Sequence, residues 1–361
     1  MASFDEVLKD CTKLGTKIPT NEYLKNGKYP VIDQGQSDIA GYHDSDSGLF
    51  ENVPAIVFGD HTRAVKYVDK PCFLGADGVK LLCPLDKDIN CKYLFYQLSC
   101  ADVPNTGYNR HFKWVKALDF KIPSSDEQNH VVEVLDKVTE LISLRKQQLA
   151  KLDELVKARF VEMFGKASLL AQNQAKRLEE CCISISGGNT PSMQHPEYYG
   201  GNIPFVKSGD VKGDYIVEST LTLTKTALTE TTAKILPKST LIVVIRSAAL
   251  LKEFRIGMLM VDAVINQDLK ALQVSEDFLP VYLMWAIKMQ HQVLLNKVQT
   301  MLTSHIRMED LLNLKIGTPP LSLQNQFAAF VERVDQQKQT VQQSLDKLEL
   351  MKKALMQEYF G

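Results

Sequence analysis

Two stretches of the chain place apolar residues at alternating spacings of three and four positions, the pattern of a helix that packs along one stripe. They cover residues 128–165 and 324–361, and neither contains a proline, or a glycine before its last residue. At about 1.5 Å per residue, each stretch predicts a rod of roughly 55 Å. The predicted seam positions of a coiled coil are Leu135, Val138, Ile142, Leu149, Leu152, Val156, Val331, Val334, Val341, Leu345, Leu348 and Leu355.

The two stretches are copies of each other. They align without a gap at a constant offset of 196 positions, and 12 of the 38 aligned residues are identical. About two or three identities would arise by chance at average composition. The similarity continues upstream, where NGKYPVIDQG (26–35) is similar to GGNIPFVKSG (200–209). The chain is therefore a duplication, in the order region, helix, region, helix.

The charged residues on the two seams favour pairing of one helix with the other. The first helix has Arg145 and Arg159 on its seam, whereas the second has Lys338 and Lys352 at different positions. A charged seam residue is tolerated better opposite a partner whose own charged positions lie elsewhere. Antiparallel pairing would relate the halves by an approximate two-fold axis and hold the globular regions apart, as a molecular ruler. The alternative is two separate amphipathic helices, each packed on its own region.

The remaining sequence predicts two α+β regions. We divide the chain into a first region (1–127), a central helix (128–165), a second region (166–323) and a C-terminal helix (324–361). The predicted fold is thus two α+β domains joined by two long helices in an antiparallel, pseudo-two-fold symmetric coiled coil. Strand-like runs, rich in β-branched residues, are PAIVFG (54–59), GVKLLCP (78–84), STLIVVIRS (239–247) and LKALQV (269–274). Helical runs are CKYLFYQLSC (91–100) and FLPVYLMWAIKMQHQVLLNK (278–297).

Composition indicates an intracellular, packed protein, and we expect it in the cytoplasm. Hydrophobic residues make up 45% and charged residues 24% of the chain, and no apolar run reaches the roughly 20 residues that a membrane span needs. The N-terminus lacks a secretory pattern. Seven cysteines without metal-ligand spacing favour reduced thiols over disulfides or a zinc site.

The sequence contains no recognisable active site. The phosphate loop, the dinucleotide-binding glycine pattern and the serine elbow are absent. Asp119-Phe120-Lys121 and Asp268-Leu269-Lys270 contain the short D-x-K pattern of nucleases, but no Pro-Asp precedes either at a convincing distance. Pro319 and Pro320 more plausibly end a strand and begin the second long helix. We therefore expect a chain without catalytic residues or a metal site.

Polar loops recur between the predicted elements of both regions. They combine Arg, Lys, Asn, Ser, Thr and His, the side chains that hydrogen-bond phosphates and base edges. Any single loop is more simply a solvated connection, and it is the duplication that favours DNA binding. These loops are GDHTRAVKY (59–67), NTGYNRHFKW (105–114), GGNTPS (187–192), VKSGDVKGD (206–214), RSAALLKEFR (246–255) and MLTSHIRMED (301–310).

The chain resembles the specificity subunit of type I restriction-modification enzymes. SISGGNTPSMQHPEYYGGNIPFVKSGDV (184–211) looks like the opening of that family's recognition domain, and VINQDLKAL (264–272) is similar to its recurring Asn-Gln segment. IPSSDEQNHV (122–131) looks like the entry into its helical region. The first region departs from this pattern: GTKIPT (15–20) lacks the Thr-Pro, and Gly-Ala-Asp-Gly (75–78) replaces Asn-Gln-Asp.

The resemblance implies a non-catalytic subunit whose two target-recognition domains read a split site on double-stranded DNA, spaced by the coiled coil. Methylation and cleavage would belong to modification subunits, normally two, that bind S-adenosylmethionine, and to restriction subunits that use ATP; this chain would bind no cofactor and no membrane. The first region has a net charge of −3 and the second of +2. Because phosphate contacts supply much of DNA affinity, we expect weak, salt-sensitive binding by the chain alone.

The DNA contacts that we expect follow from side-chain chemistry, since arginine suits the edge of guanine and asparagine that of adenine. A salt bridge at the strand end competes with this role for Arg246, and His305 and His111 could equally be surface residues. Two other functions stay open: a scaffold whose lobes bind proteins, with apolar flat faces, and an unfamiliar hydrolase with a His and carboxylate pocket. The candidates are Thr62, Arg63, Asn109, Arg110, Lys113, Lys207, Ser208, Arg246, Ser304, His305 and Arg307.

Overall fold

The computed structural model confirms an α+β protein with two long helices. It describes residues 1–75, 77–165, 175–300 and 305–361. These residues form two compact units, which we call the first unit (Met1–Gln148 with Val341–Gly361) and the second unit (Leu149–Thr340). Each unit contains one globular region and a segment of both long helices.

The helices and strands are numbered in chain order. The α-helices are α1 (Phe4–Val7), α2 (Cys91–Cys100), α3 (Phe112–Val115), α4 (Ser125–Phe164), α5 (Lys225–Glu230), α6 (Pro280–Lys288), α7 (His291–Thr300), α8 (Met308–Leu312) and α9 (Leu321–Phe360). Short 3-10 helices cover Thr12–Leu14, Thr20–Glu22, Leu178–Cys181, Pro196–Tyr198 and Ala248–Leu251. The strands are β1 (Ala2–Ser3), β2 (Leu8–Asp10), β3 (Lys17–Ile18), β4 (Tyr29–Ile32), β5 (Gly41–His43), β6 (Ala55–Gly59), β7 (Val65–Val68), β8 (Phe73–Gly75), β9 (Val79–Pro84), β10 (Asp119–Phe120), β11 (Ala175–Arg177), β12 (Cys182–Gly187), β13 (Tyr199–Val206), β14 (Tyr215–Ile216), β15 (Leu221–Leu223), β16 (Leu241–Val244), β17 (Ile256–Leu259), β18 (Val264–Ile265), β19 (Leu269–Val274) and β20 (Lys315–Gly317).

The first region is built from two four-stranded sheets, in the orders β2-β9-β6-β7 and β3-β8-β4-β5, with β1 paired to β10. Strand β6 is buried throughout because each of its faces packs on a different layer. Ile56 and Phe58 share a core with α2, whereas Ala55 and Val57 face the residues of the second sheet. This two-sided burial explains the uninterrupted apolar run in the sequence.

The second region repeats most of this architecture, without a counterpart of β3. Its sheets have the orders β12-β19-β16-β17-β14 and β15-β13-β18, and β11 pairs with β20. The central strand β16 is again apolar on both faces: Leu241 and Val243 pack in the core that contains α6, and Ile242 and Val244 pack in another. The clearest addition is β14, which lies parallel to β17 at the edge of the larger sheet.

The upstream similarity in the sequence corresponds to equivalent strands. Val31 of β4 pairs in parallel with Phe73 of β8, and Phe205 of β13 pairs in parallel with Val264 of β18. Gly75 at the end of β8 therefore occupies the place of Asn266 after β18, although the sequences that begin there are Gly-Ala-Asp-Gly and Asn-Gln-Asp.

All four predicted strands and the helix at 91–100 are present. The predicted helix at 278–297 is instead two helices, α6 and α7, which separate at Met289 and Gln290. The main-chain N–H of Gln290 donates to Ile287 O (3.0 Å), and its side-chain amide donates to Ala286 O (3.3 Å) and to Lys315 O (2.9 Å). The side-chain amide of Gln290 thus bonds to the Ala286 carbonyl, which the main-chain N–H of Gln290 would have used if the helix had continued.

Within each unit the two long helices run antiparallel. In the first unit Arg145 Nε of α4 donates to Ser344 Oγ of α9 (3.2 Å), and Leu135 packs in the same cluster as Leu355. In the second unit the rings of Phe160 and Phe327 lie 5.4 Å apart. Later residues of α4 thus contact earlier residues of α9, which defines the antiparallel direction. The predicted seam residues are all buried or half-buried.

Each charged seam residue has a polar or aromatic neighbour in its own unit. Lys338 Nζ lies 2.6 Å from a carboxylate oxygen of Asp153. Arg159 pairs with a glutamate one turn on (2.7 Å) and lies over the ring of Phe330 (5.7 Å). Lys352 lies over the ring of Tyr96 (5.9 Å), and burial lowers the pKa of its ammonium. Aromatic faces and partly shielded carboxylates offset the desolvation of these charges.

A buried glutamine fastens each long helix to its region. The side chain of Gln324 is fully buried, and its Oε1 accepts from the Leu279 N–H (2.8 Å) at the start of α6. Its Nε2 donates to Asp277 O and Pro319 O, both at 2.9 Å. Gln128 makes the same link, accepting from the Asn90 N–H (2.8 Å) before α2. This function explains why the glutamine is identical in the two copies.

A buried polar cluster joins the second region to the helices of the second unit. Tyr215 donates to Asp335 of α9 (2.6 Å), and Lys288 of α6 forms an ion pair with Asp214. Burial raises the pKa of the Asp335 carboxyl and lowers that of the Lys288 ammonium. Lys338 lies 3.7 Å from Asp335 and links the cluster to the seam.

Candidate nucleic-acid interface

Four loops of the first region meet at the carboxyl ends of β4, β6 and β8. The main-chain N–H of Asp60 donates to Gly78 O (2.7 Å), and that of His61 donates to Gln34 Oε1 (3.2 Å). The fourth loop joins through His111, whose N–H donates to Asp60 O (2.8 Å). These bonds bring together residues from four separate parts of the chain.

Equivalent loops meet in the second region, and the bonds of Ile245 and Ile306 there are direct counterparts of main-chain bonds in the first. The Asn266 N–H donates to Val206 O (3.1 Å), and the Ile245 N–H donates to Asp268 O (2.9 Å). The Ile306 N–H donates to Ile245 O (2.8 Å), as that of His111 does to Asp60 O in the first region. The backbone of the loop cluster is therefore duplicated together with the strands.

The Gly-Gly-Asn-Thr segment at the end of β12 packs against this loop cluster. A Cβ atom on Gly188 would lie 2.0 Å from the carbonyl oxygen of Ile265, so no larger residue fits there. Thr190 donates to the side chain of Gln267 in a short hydrogen bond. Two segments that the sequence singles out, 187–192 and 264–272, are thus in direct contact.

Three of the predicted contacts in the first region stabilise the loops that carry them. Thr62 Oγ1 donates to Gln34 O (2.5 Å), and Arg63, which has a φ of 61°, donates from Nη1 to Val103 O (3.0 Å). The side-chain amide of Asn109 donates to a carbonyl of its own loop. Each of these hydrogen bonds uses one donor of its side chain, so the three residues help to shape the loops that carry them.

Arg110 and Lys113 present free positive charge at the same end of the first region. Both side chains are exposed, and neither forms an ion pair in the described part of the chain. Lys113 Nζ lies 5.1 Å from the ring centroid of its neighbour Trp114. Such cations are suited to phosphate or guanine.

The second region places Lys207, Ser208, Arg246 and His305 around its loop cluster. Arg246 and His305 form an isolated antiparallel bridge. The Arg246 guanidinium is 65% exposed and lies 3.8 Å from Asp268, so the competing ion pair exists but leaves the cation open to solvent. Lys207 and Ser208 are half-buried in the turn after β13.

The remaining predictions have mixed outcomes. Arg307 is exposed and precedes α8, whereas Ser304 lies outside the described residues. The suggestion that His111 is a surface residue is wrong, because its side chain is fully buried and its Nδ1 lies 2.9 Å from Asp60 O. His111 holds the loop before α3 against the end of β6.

Sequence reasoning missed several residues that the loop clusters bring together. His61 stacks on the exposed ring of Tyr108, with centroids 4.7 Å apart and an interplanar angle of 9°. Gln34 accepts a hydrogen bond from the His61 N–H and is equivalent to Ser208, which the sequence did nominate. The similarity of 26–35 to 200–209 already contained that signal.

The described residues offer neither a cluster of metal ligands nor a membrane-spanning helix. They contain no group of three or more His, Cys, Asp or Glu side chains that could hold a metal ion. Among the helices of residues 1–75, 77–165, 175–300 and 305–361, none is long and apolar enough to cross a membrane.

The repeated architecture, with matching polar loop clusters in both regions, is that of a duplicated recognition protein. The family model of the type I restriction modification DNA specificity domain matches residues 5–154 and 172–350, so the chain belongs to this family. The family match does not favour the scaffold alternative.

Three comparisons illustrate the relationship. The specificity subunit of the Escherichia coli type I restriction enzyme EcoR124I/EcoR124II is 24% identical over 342 residues, which are 88% of this chain and 82% of that one. The crystal structure of an M. genitalium type I S subunit superposes with a TM-score of 0.61 at 15% identity, covering 99% of this chain and 95% of that one. A structure from work on assembly and conformational transition of a type I R-M system gives 0.55 at 16% identity, covering 98% and 97%. The solved structures support the fold.

Proposed function

We propose that this chain reads a bipartite site on double-stranded DNA for a type I restriction-modification complex. The observation that carries the proposal is the duplicated loop cluster, since each region presents polar and basic side chains on the same main-chain framework. A protein with two equivalent reading surfaces is suited to a split target. The paired long helices would set the number of unread base pairs between the half-sites.

Chemistry divides the surface residues into two roles. Arg110 and Arg246 would read guanine, because a guanidinium matches its two major-groove acceptors. Lys113 and Lys207 would bind phosphates and fix the position of each region on the duplex. Exposed His305 and Arg307 complete the surface of the second region.

The chemical steps would belong to other subunits. We expect this chain to be non-catalytic and to bind no cofactor, with S-adenosylmethionine on two modification subunits and ATP on restriction subunits. The complex would act in the cytoplasm. Its assembly would also supply positive charge, because the two regions carry net charges of only −3 and +2.

The charge argument has its own test. Affinity for DNA should be weak and fall steeply with salt for the chain alone, and be tighter once modification subunits enclose the duplex. Binding isotherms over a series of salt concentrations, with and without the modification subunits, measure the affinity for DNA and its dependence on salt. Equal affinity in the two conditions would contradict the argument.

The decisive experiment is co-expression with the modification subunits of the proposed complex, followed by genome-wide mapping of methylated adenines. We expect one bipartite motif with a fixed spacer. Arg246→Ala should relax one half of that motif and leave the other half intact, with Lys238→Ala, at the opposite end of β16, as a control for an exposed cation. Methylation without a bipartite motif, or none in an assembled complex, would refute the proposal.

A further inference from the structure

Tyr108 is an exposed aromatic ring held in a fixed orientation. Its side chain is 88% exposed, although a ring of this size normally buries much of its surface. One face stacks on His61 at a centroid distance of 4.7 Å and an interplanar angle of 9°. The opposite face is therefore open to solvent and parallel to a second ring beneath it.

Hydrogen bonds hold the loop that carries Tyr108 in one conformation. The Gly107 N–H donates to Asn105 Oδ1 (3.2 Å), and the Asn109 N–H donates to Gly107 O (2.8 Å). The Thr106 N–H donates to Nε2 of the buried His111 (3.3 Å). Binding of a ligand to the ring therefore costs little further conformational entropy in this loop.

Two exposed cations follow Tyr108 in the chain. Arg110 lies in the same loop and Lys113 in the helix after it, and His61 Nδ1 lies 3.2 Å from the carbonyl oxygen of Asn109 in that loop. A planar ring in a loop with exposed cations is suited to a nucleobase that is attached to a charged backbone.

We propose that the open face of Tyr108 is a stacking site for one nucleobase of the half-site that the first region reads. The inference rests on the proposed DNA-reading function and adds a local distortion of the duplex. A base can reach the ring only if its step is partly unstacked, which is least costly at pyrimidine–purine steps. The first half-site should therefore contain such a step.

In the described part of the second region, no aromatic ring lies at the place of His61. Matching main-chain bonds pair His111 with Ile306 and Asp60 with Ile245, so His61 corresponds to Arg246. An arginine replaces the lower ring, and the residue that corresponds to Tyr108 in number, Thr303, is not aromatic and lies outside the described residues. The distortion should be confined to one half-site.

The test uses the full chain assembled with its modification subunits on duplexes of the mapped motif. 2-Aminopurine replaces one base at a time in each half-site, and the half that Arg246→Ala leaves intact identifies the half read by the first region. Tyr108→Ala removes the ring, Tyr108→Leu keeps apolar volume without a plane, and Tyr108→Phe keeps the stacking face. Leu14→Ala, at a residue 65% exposed, is the control for loss of exposed apolar surface.

We expect a fluorescence change on binding at one position of the first half-site, lost in Tyr108→Ala and Tyr108→Leu but kept in Tyr108→Phe and Leu14→Ala. The Kd should rise about 5- to 100-fold for Tyr108→Ala, the range of one base–aromatic stack. A signal and affinity like wild type in Tyr108→Ala would overturn the stacking site while leaving the reading function intact. Weakened assembly with the modification subunits, with unchanged DNA affinity once assembled, would make Tyr108 a protein contact and overturn it equally. Absence of motif-specific binding by the wild-type complex would instead refute the underlying function.

Discussion

Replacement of the buried glutamine at the start of α9 is the sharpest test of how the helices are fastened. Gln324→Met keeps the length of the side chain and removes its polar end. Three main-chain groups lose their partner: the N–H of Leu279 and the carbonyls of Asp277 and Pro319. The perturbation therefore separates hydrogen bonding from packing.

The expected size follows from the number and exposure of these groups. A buried group left unpaired costs about 1–3 kcal/mol, and residues at the surface recover part of this from water. Asp277 is exposed and Leu279 and Pro319 are half-buried, so we expect a loss of about 2–4 kcal/mol. Gln128→Met removes only the bonds to Asn90 N and Pro123 O, and should cost roughly 1 kcal/mol less.

The two tryptophans make the measurement specific to each unit. Trp285 lies in the second unit and is 4% exposed, whereas Trp114 lies in the first and is 37% exposed. Urea unfolding of Gln324→Met is followed by Trp285 fluorescence in a Trp114→Phe background, and Gln128→Met by Trp114 in a Trp285→Phe background. For a unit of this size the loss corresponds to a fall in Tm of about 4–16 °C.

The neighbouring amide supplies the control. Asn325 is exposed and donates only to Leu321 O (2.8 Å) in its own helix, so Asn325→Ala should change stability by less than about 0.5 kcal/mol. The reasoning fails if Gln324→Met falls in that same range, or if Gln128→Met is the more damaging of the two.

Three further predictions concern the loops and the buried polar cluster. Gly188→Ala should destabilise the second unit by about 1–3 kcal/mol in urea unfolding, because the added methyl meets a carbonyl at 2.0 Å, whereas Gly213→Ala, with no atom within 4 Å, should be neutral. Burial raises the pKa of the Asp335 carboxyl above 3.8, so the folded state binds this proton more tightly than the unfolded state does. The second unit should therefore lose stability as the pH rises through the window just above 3.8. Curves of stability against pH for Asp335→Asn should lack this loss, and curves parallel to wild type would refute the argument. Lys113→Ala should lower the slope of log Kd against log salt by about one without changing the methylated motif, and a changed motif would contradict a phosphate contact.

The helices and the central strands could be predicted from the sequence because their determinants are local. Spacing of apolar residues defined α4 and α9, and an uninterrupted apolar run defined β16, since that strand packs on both faces. The division of the predicted helix at Gln290 could not be foreseen, because its side chain is drawn away by the carbonyl of Lys315, 25 residues further on. No helix-breaking residue marks that point.

The composition of the loop clusters could be predicted only in part, since it depends on contacts across long separations. Gln34 meets His61 across 27 positions, and Thr190 meets Gln267 across 77. His111 is a polar residue in a polar loop, yet it is buried. Its ring nitrogen hydrogen-bonds the main-chain carbonyl of Asp60 inside the protein. Residue type indicates what a side chain can bond, whereas the fold decides whether that bond is used inside the protein.

The division between main-chain and side-chain contacts explains how one architecture can carry two reading surfaces. Two of the bonds that assemble the loops join backbone groups at equivalent positions, so these two do not depend on which side chains the positions carry. His61 and Arg246 occupy one such pair of positions with different chemistry. Because exchange at these positions leaves the framework bonds intact, side chains there can change at little cost in stability. We therefore expect the two half-sites of this chain to differ in sequence while sharing one mode of docking.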